Sequence, residues 1–234
     1  MPRARLIYDL LLVILLGAGA SVAGAQSPAK PLQQPDTSGA GKTVTIDGIA
    51  ARIEDDIITE SDVSELAAFQ ELVEGHAKSH DEIIGELADQ WIVRQEASAV
   101  SYGQPTQEEI DRASQQLVKQ FGSAEEFRSR CAALGLTDAA IRRLLTQQLY
   151  LSRFLDQRFR PAAQVTPEQV EAYYQREFAP QLKARNEEVP ALDEVEDTIR
   201  EVLIQRAITE RAEKWLDDTR SRLKIEIVSH GASS

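Results

Sequence analysis

The sequence predicts a mostly α-helical fold with a small β-sheet formed by an N-terminal hairpin and the C-terminal strand. Three observations predict it. Between about Ser61 and Leu223 the apolar residues recur at helical spacing. Four helix starts carry a Ser or Thr three residues ahead of a Glu or Gln, the pairing in which each side chain satisfies an orphan backbone amide of the other. Short β-branched runs stand only before and after this helical stretch.

Taken in order, Val44 to Thr59 reads V-T-I-D-G-I-A-A-R-I-E-D-D-I-I-T, short runs broken at Asp47-Gly48 and at the acidic turn Glu54-Asp55-Asp56, which predicts a hairpin. The capping pairs are Ser79/Glu82, Thr106/Glu109, Ser123/Glu126 and Thr166/Gln169, the last with Pro167 at the first helical position, where a missing amide costs nothing. The helix from Ser79 places Ile84, Leu87, Trp91 and Ile92 on one face. The next places Ile110, Leu117 and Phe121 together before Gly122 stops it. Thr137 to Phe159 is longer, with Ile141, Leu144, Leu145, Leu149 and Phe154 in its stripe and Pro161 at its end. Thr166 to Phe178 reads as a short helix, Pro180 to Pro190 as a polar linker, and Leu192 to Leu223 as a long helix. Its stripe runs Leu192, Val195, Ile199, Val202, Leu203, Ala207, Ala212, Trp215, Leu216 and Thr219. The alternating tail Lys224 to Val228 reads as a strand. A lone terminal strand leaves its amides unsatisfied, so it is expected to join the N-terminal hairpin, closing the chain end to end and leaving its middle free to project.

Composition narrows the function classes. The 234 residues carry 26 Lys+Arg against 38 Asp+Glu, a net charge of -12. Phosphate binding needs a basic footprint, so nucleic acid and an anionic membrane surface are not expected partners. One cysteine, Cys131, excludes an internal disulfide and any cysteine-based metal cage. It stands beside Ala132, Ala133 and Leu134, the setting of a packed thiol rather than a nucleophile.

Residues 1–25 have the three parts of a secretory signal: Arg3 and Arg5, the apolar run Leu10 to Leu16, and small residues up to Ala25, after which cleavage is expected. The run is shorter than the roughly 20 apolar residues a spanning helix needs, so membrane contact is expected only through an uncleaved leader. Residues 26–42 read as a flexible linker, 43–228 as one core with parts 43–160 and 166–228, and 229–234 as a tail. Export implies the periplasm, where ATP is not available. The stretch Ser38-Gly39-Ala40-Gly41-Lys42-Thr43 ends like a phosphate-binding loop, yet Asp36 occupies the first glycine position and strand-like sequence follows where a helix is required. No nucleotide and no other cofactor is expected.

His76 and His80 lack the H-E-x-x-H pattern, and the cap at Ser79 places His76 before the helix, so a solvated turn is favoured over a metal site. Glu108/Glu109, Glu125/Glu126 and Glu187/Glu188 are neighbours about 100° apart on a helix, unable to flank one substrate bond. No G-x-S-x-G elbow occurs.

Two ends of the core carry a resemblance. Asp47 to Val63, D-G-I-A-A-R-I-E-D-D-I-I-T-E-S-D-V, resembles the opening of SurA-type periplasmic chaperones. Thr166-Pro167-Glu168-Gln169-Val170-Glu171-Ala172-Tyr173-Tyr174 is similar to the helix that precedes the isomerase domain in SurA and PrsA-type proteins, and Val195 to Val228 is similar to their final helix and strand. In that family parvulin-type prolyl isomerase domains stand between these segments. Here only Ala179 to Ala191 is available, and a domain needs at least ~50 residues.

The resemblance therefore implies the chaperone core alone: no isomerase activity, and an ATP-independent holdase for unfolded exported chains, outer-membrane β-barrel precursors among them. The runner-up is a non-catalytic periplasmic adaptor that binds one folded partner. A holdase keeps apolar surface within reach of its clients. Phe121, Phe127, Tyr150, Phe154, Tyr173 and Tyr174 are the candidate client-binding residues, with Phe159 beside them, although helical apolar stripes usually face inward. Tyr173 and Tyr174 lead, because adjacent positions cannot both enter one thin helix interface and their hydroxyls suit wet contacts. The expected site is a groove between the helical body and projecting helices.

Overall fold

The computed structural model describes residues 47–76 and 78–228, so the leader, the linker, the tail and Val44 to Ile46 lie outside the described residues. The predicted hairpin is present as β1 (Ile49–Ile53) and β2 (Asp56–Thr59), and β3 (Ile225–Ile227) pairs antiparallel with β1 to give the order β2-β1-β3. Ala51 faces Ile227, Arg52 faces Glu226 and Ile53 faces Ile225. The chain does close end to end. A register shift between Ile49 and Ala51 interrupts the β1–β2 pairing, and Ala50 and Ala51 are both fully buried. Such a bulge lets two consecutive residues turn toward one face.

α1 (Glu60–Glu74) follows β2 without a loop. Thr59 ends the strand and caps the helix, with Asp62 answering it, a pairing overlooked in the sequence because the responder is Asp rather than Glu or Gln. Gly75, at φ +75°, closes α1 by donating its N–H to the Glu71 carbonyl at 2.9 Å. α2 (His80–Ala99), α3 (Gln107–Lys119) and α4 (Ala124–Ala133) start at the predicted caps Ser79, Thr106 and Ser123, and α5 (Asp138–Phe159) starts at Thr137, where the sequence places a helix start and the side chain also caps. At Ser123 only half of the predicted pairing forms. The hydroxyl accepts the Glu126 N–H, but the Glu126 carboxylate takes the Gly122 N–H at 3.2 Å instead.

Around Pro161 the chain makes a 3-10 turn (Arg160–Ala162) and then enters α6 (Pro167–Tyr173), capped by Thr166 and Gln169 as predicted. The expected polar linker is partly helical. A π turn (Tyr174–Phe178) leads into α7 (Ala179–Ala184), so helix continues through Pro180. A proline inside a regular helix collides with the carbonyl four residues back. Here the widened turn, in which the Ala179 N–H reaches Tyr174, relieves that collision. α8 (Leu192–Arg220) ends three residues before the predicted Leu223.

Three clusters hold the body. Ile92 and Val93 of α2, Leu151 and Leu155 of α5, and Ile208 and Leu216 of α8 form the first. Ile208 is fully buried although it lies outside the predicted stripe. The second joins the sheet to α1 and α2 through Ile53, Ile58, Val63, Leu66, Ile83 and Ile84. In the third, Phe69, Leu72, Leu117, Phe127, Ile141 and Leu145 tie α3 and α4 to α1 and α5. Each large side chain buried in this way stabilises the fold by roughly 1.5–3 kcal/mol. This third cluster corrects the expectation that the middle of the chain projects, because α3 and α4 have apolar faces that α1 and α5 cover.

Candidate functional site

The six candidate aromatics fall in three places. Phe121 and Phe127 meet edge to face at 5.1 Å within the α3–α4 cluster, with Phe127 buried and the Arg130 guanidinium 5.7 Å from the Phe121 ring centre. Tyr150 and Phe154 are buried on α5, joined through Tyr102, whose ring centre is 5.7 Å from one and 5.6 Å from the other. Phe127, Tyr150 and Phe154 are thus core residues that offer a partner no surface, in keeping with the inward face that helical apolar residues usually take. Tyr102 escaped sequence reasoning because it sits in the α2–α3 loop, outside any periodic stripe.

Tyr173 and Tyr174 are half-buried and lie together on the segment that leans on the N-terminal half of α8. Tyr173 stacks under the Arg206 guanidinium at 4.7 Å and accepts a hydrogen bond from it at 3.3 Å, and Arg206 also pairs with Glu177 at 2.8 Å. Tyr174 donates its hydroxyl to the Pro190 carbonyl at 2.8 Å and stacks on Phe178 at 6.0 Å. The two adjacent tyrosines therefore engage different neighbours. Around them Val170, Ala179 and Ile199 are buried, and α6 packs against α8, so that residues 167–203 make up an arm. Phe159, named beside the six, is half-buried against Trp215 at 5.9 Å, and Arg158 covers both rings.

Arg160 fixes the elbow between body and arm. Its guanidinium grips both Asp156 oxygens, the shorter contact being 2.8 Å, and both Glu201 oxygens at 2.7 and 3.0 Å, tying the end of α5 to α8. Hydrogen bonds to Glu201 and Asp156 raise the Arg160 pKa further above its ordinary value, and Arg160 in turn lowers that of Glu201.

At the other end of α8 the junction is buried. Arg220 bonds the Asp89 carboxylate and donates to the Gly85 carbonyl at 3.1 Å, joining α8 to α2. Burial pushes Asp89 up to about 6 despite Arg220, and the nearby Asp217 and Glu86 charges add to the rise. Glu86 itself is raised by burial, against hydrogen bonds from Gln70 and Lys78. At the hairpin tip Glu54 stands at φ +50°, donates its N–H to the Lys224 carbonyl at 3.0 Å, and accepts the Lys224 N–H on its carboxylate at 2.7 Å. A non-glycine residue held in the left-handed region is strained, and here it docks the C-terminal strand through both backbone and side chain.

No protein-family model and no curated protein matches this chain. The His80 ring bonds Glu60 at 2.9 Å and the His76 ring lies 3.4 Å from Glu74, so the two histidines serve different carboxylates. Among the described residues no group of three or more His, Cys, Asp or Glu is placed to hold a metal ion, and no helix is long and apolar enough to cross a membrane. Glu108 pairs with Arg112 while Glu109 binds Thr106 and Arg153. Glu125 and Glu126 likewise turn to Arg128 and Arg130. Cys131 is buried, which raises its thiol pKa. The phosphate-loop-like stretch lies outside the described residues.

Proposed function

We propose that this chain is an ATP-independent periplasmic holdase that binds unfolded exported polypeptides, outer-membrane β-barrel precursors included, without prolyl isomerase activity. The observation that carries the reading is the closure of the chain through β3 and β1, with a helical arm held on the N-terminal half of α8. The order strand, helices, long helix and strand is also the one that the resemblance in Asp47–Val63, Thr166–Tyr174 and Val195–Val228 implies. Tyr173 and Tyr174 sit on that arm, half-exposed, with hydroxyl and ring edges suited to wet, adaptable contacts. A net charge of -12 supports the reading further, since it keeps a protein loaded with apolar client from co-aggregating.

The test is light scattering of a denatured outer-membrane β-barrel protein diluted with and without the exported chain, residues 26–234, in the absence of ATP. Suppression at near-stoichiometric ratio is expected, together with micromolar, salt-tolerant binding of extended apolar peptides. No suppression of any unfolded exported client overturns the proposal and shifts the search to a single folded partner.

A further inference from the structure

The edge of the sheet carries an inference about how such a client is held, and it rests on the holdase reading. The Glu54 N–H bonds the Lys224 carbonyl and the Val228 N–H bonds the Ala50 carbonyl at 2.8 Å, with Arg52 opposite Glu226 between them. Backbone groups in an antiparallel pair point alternately toward and away from the partner strand. Residues 224, 226 and 228 therefore face β1, and the N–H and C=O groups of Ile225 and Ile227 face the other way. In the order β2-β1-β3 no described strand lies on that side. Ile227 is 50% exposed there, on the face that carries buried Ala51.

We infer that the open edge of β3 docks one extended segment of an unfolded chain by strand addition. Its chemistry follows from the side chains beside it. Ile225 and Ile227 flank the incoming strand on the inner face, whereas Glu226, Lys224 and Arg52 stand on the outer face, with Lys224 and Glu226 paired at 3.1 Å. The segment that fits alternates apolar and polar residues, apolar beside the isoleucines and polar beside Glu226. A second copy of this chain is a poorer occupant. In the register that uses both edge isoleucines, Glu226 meets Glu226 of the other copy, and directly opposed like charges are destabilising. The net charge of -12 adds repulsion.

The experiment uses residues 26–234 and a short synthetic peptide of alternating threonine and valine between lysine ends, with amide exchange resolved by NMR. Peptide is expected to slow exchange at Ile225 and Ile227. Ile227→Pro removes an edge donor without removing a β1–β3 hydrogen bond, so it is expected to weaken peptide binding about tenfold while the Val228 amide stays protected. Should Val228 lose protection, Ile227→Asp supplies the same test with the backbone intact. Unchanged exchange at 225 and 227 under saturating peptide overturns the inference, as does undiminished binding by these variants. Protection that rises with protein concentration in the absence of peptide also overturns it, in favour of self-pairing. Aggregation suppression is scored separately on the same samples: if it persists while the edge stays silent, the strand-addition inference falls and the holdase reading stands; if it fails while the edge responds, the reverse holds.

Discussion

Ser101 stands just past the end of α2 at φ +52°, with its N–H on the Ser98 carbonyl and the Tyr102 N–H on the Ala97 carbonyl, both at 3.0 Å. This is the left-handed closing position that glycine fills most cheaply. Ser101→Gly is therefore expected to stabilise the fold by roughly 0.5–1 kcal/mol, and Gly75→Ala to cost about 1 kcal/mol, since a Cβ at Gly75 meets no neighbour and only the backbone conformation resists it. Denaturant titration of both variants checks the pair. A second residue-scale expectation concerns pH. Asp89 takes up its proton near 6 in the folded chain against a reference value of 3.8, so the folded state binds that proton more tightly. The stability this contributes is complete below about pH 4 and is lost as pH rises through 6. His80, raised by its bond to Glu60, acts in the same direction. Denaturation midpoints of wild type and Asp89→Asn isolate the aspartate: acidification from pH 7 to pH 4.5 should favour the wild type relative to the variant, and parallel curves would refute the assignment.

At the scale of elements, the caps rank themselves. Thr106 and Thr166 each exchange hydrogen bonds with their partners Glu109 and Gln169, whereas Ser123 only accepts one. Replacing Thr106 or Thr166 by Ala is expected to cost about 1 kcal/mol, with a smaller loss at Ser123. Thermal melts of the three alanine variants test the order. The elbow is the other element-scale lever. Arg160→Lys keeps the charge but loses the planar fork that bonds both oxygens of Asp156 and of Glu201, so the arm should loosen on α8. Faster amide exchange in α6 and α7, with α2 unchanged, is the expected signature.

For the whole molecule, Ile208 marks where the C-terminal helix meets α2 and α5. Ile208→Ala is expected to cost roughly 2–5 kcal/mol, the range for emptying a well-packed site, and to lower the melting temperature of the body as one unit. Loss confined to the C-terminal segment would show that the two ends fold separately. The same joint explains why α8 can carry an arm: its C-terminal half is anchored in the core, which leaves its N-terminal half to hold α6 and α7.

Helix positions, the hairpin and the terminal strand were legible in the sequence because caps, periodicity and β-branching act locally, within a turn or a strand. The pairing of β3 with β1 followed from a general need, since stranded backbone amides must find partners. What only the tertiary structure decided depends on which faces meet. Phe127, Tyr150 and Phe154 share the aromatic character of Tyr173 and Tyr174, yet packing buries the first three and leaves the tyrosines half-exposed. The Arg160–Glu201 and Asp89–Arg220 pairs also involve contacts beyond the reach of local pattern. Those contacts bring residues as far apart as Asp89 and Arg220 together, and no spacing rule within one helix encodes a partner on another.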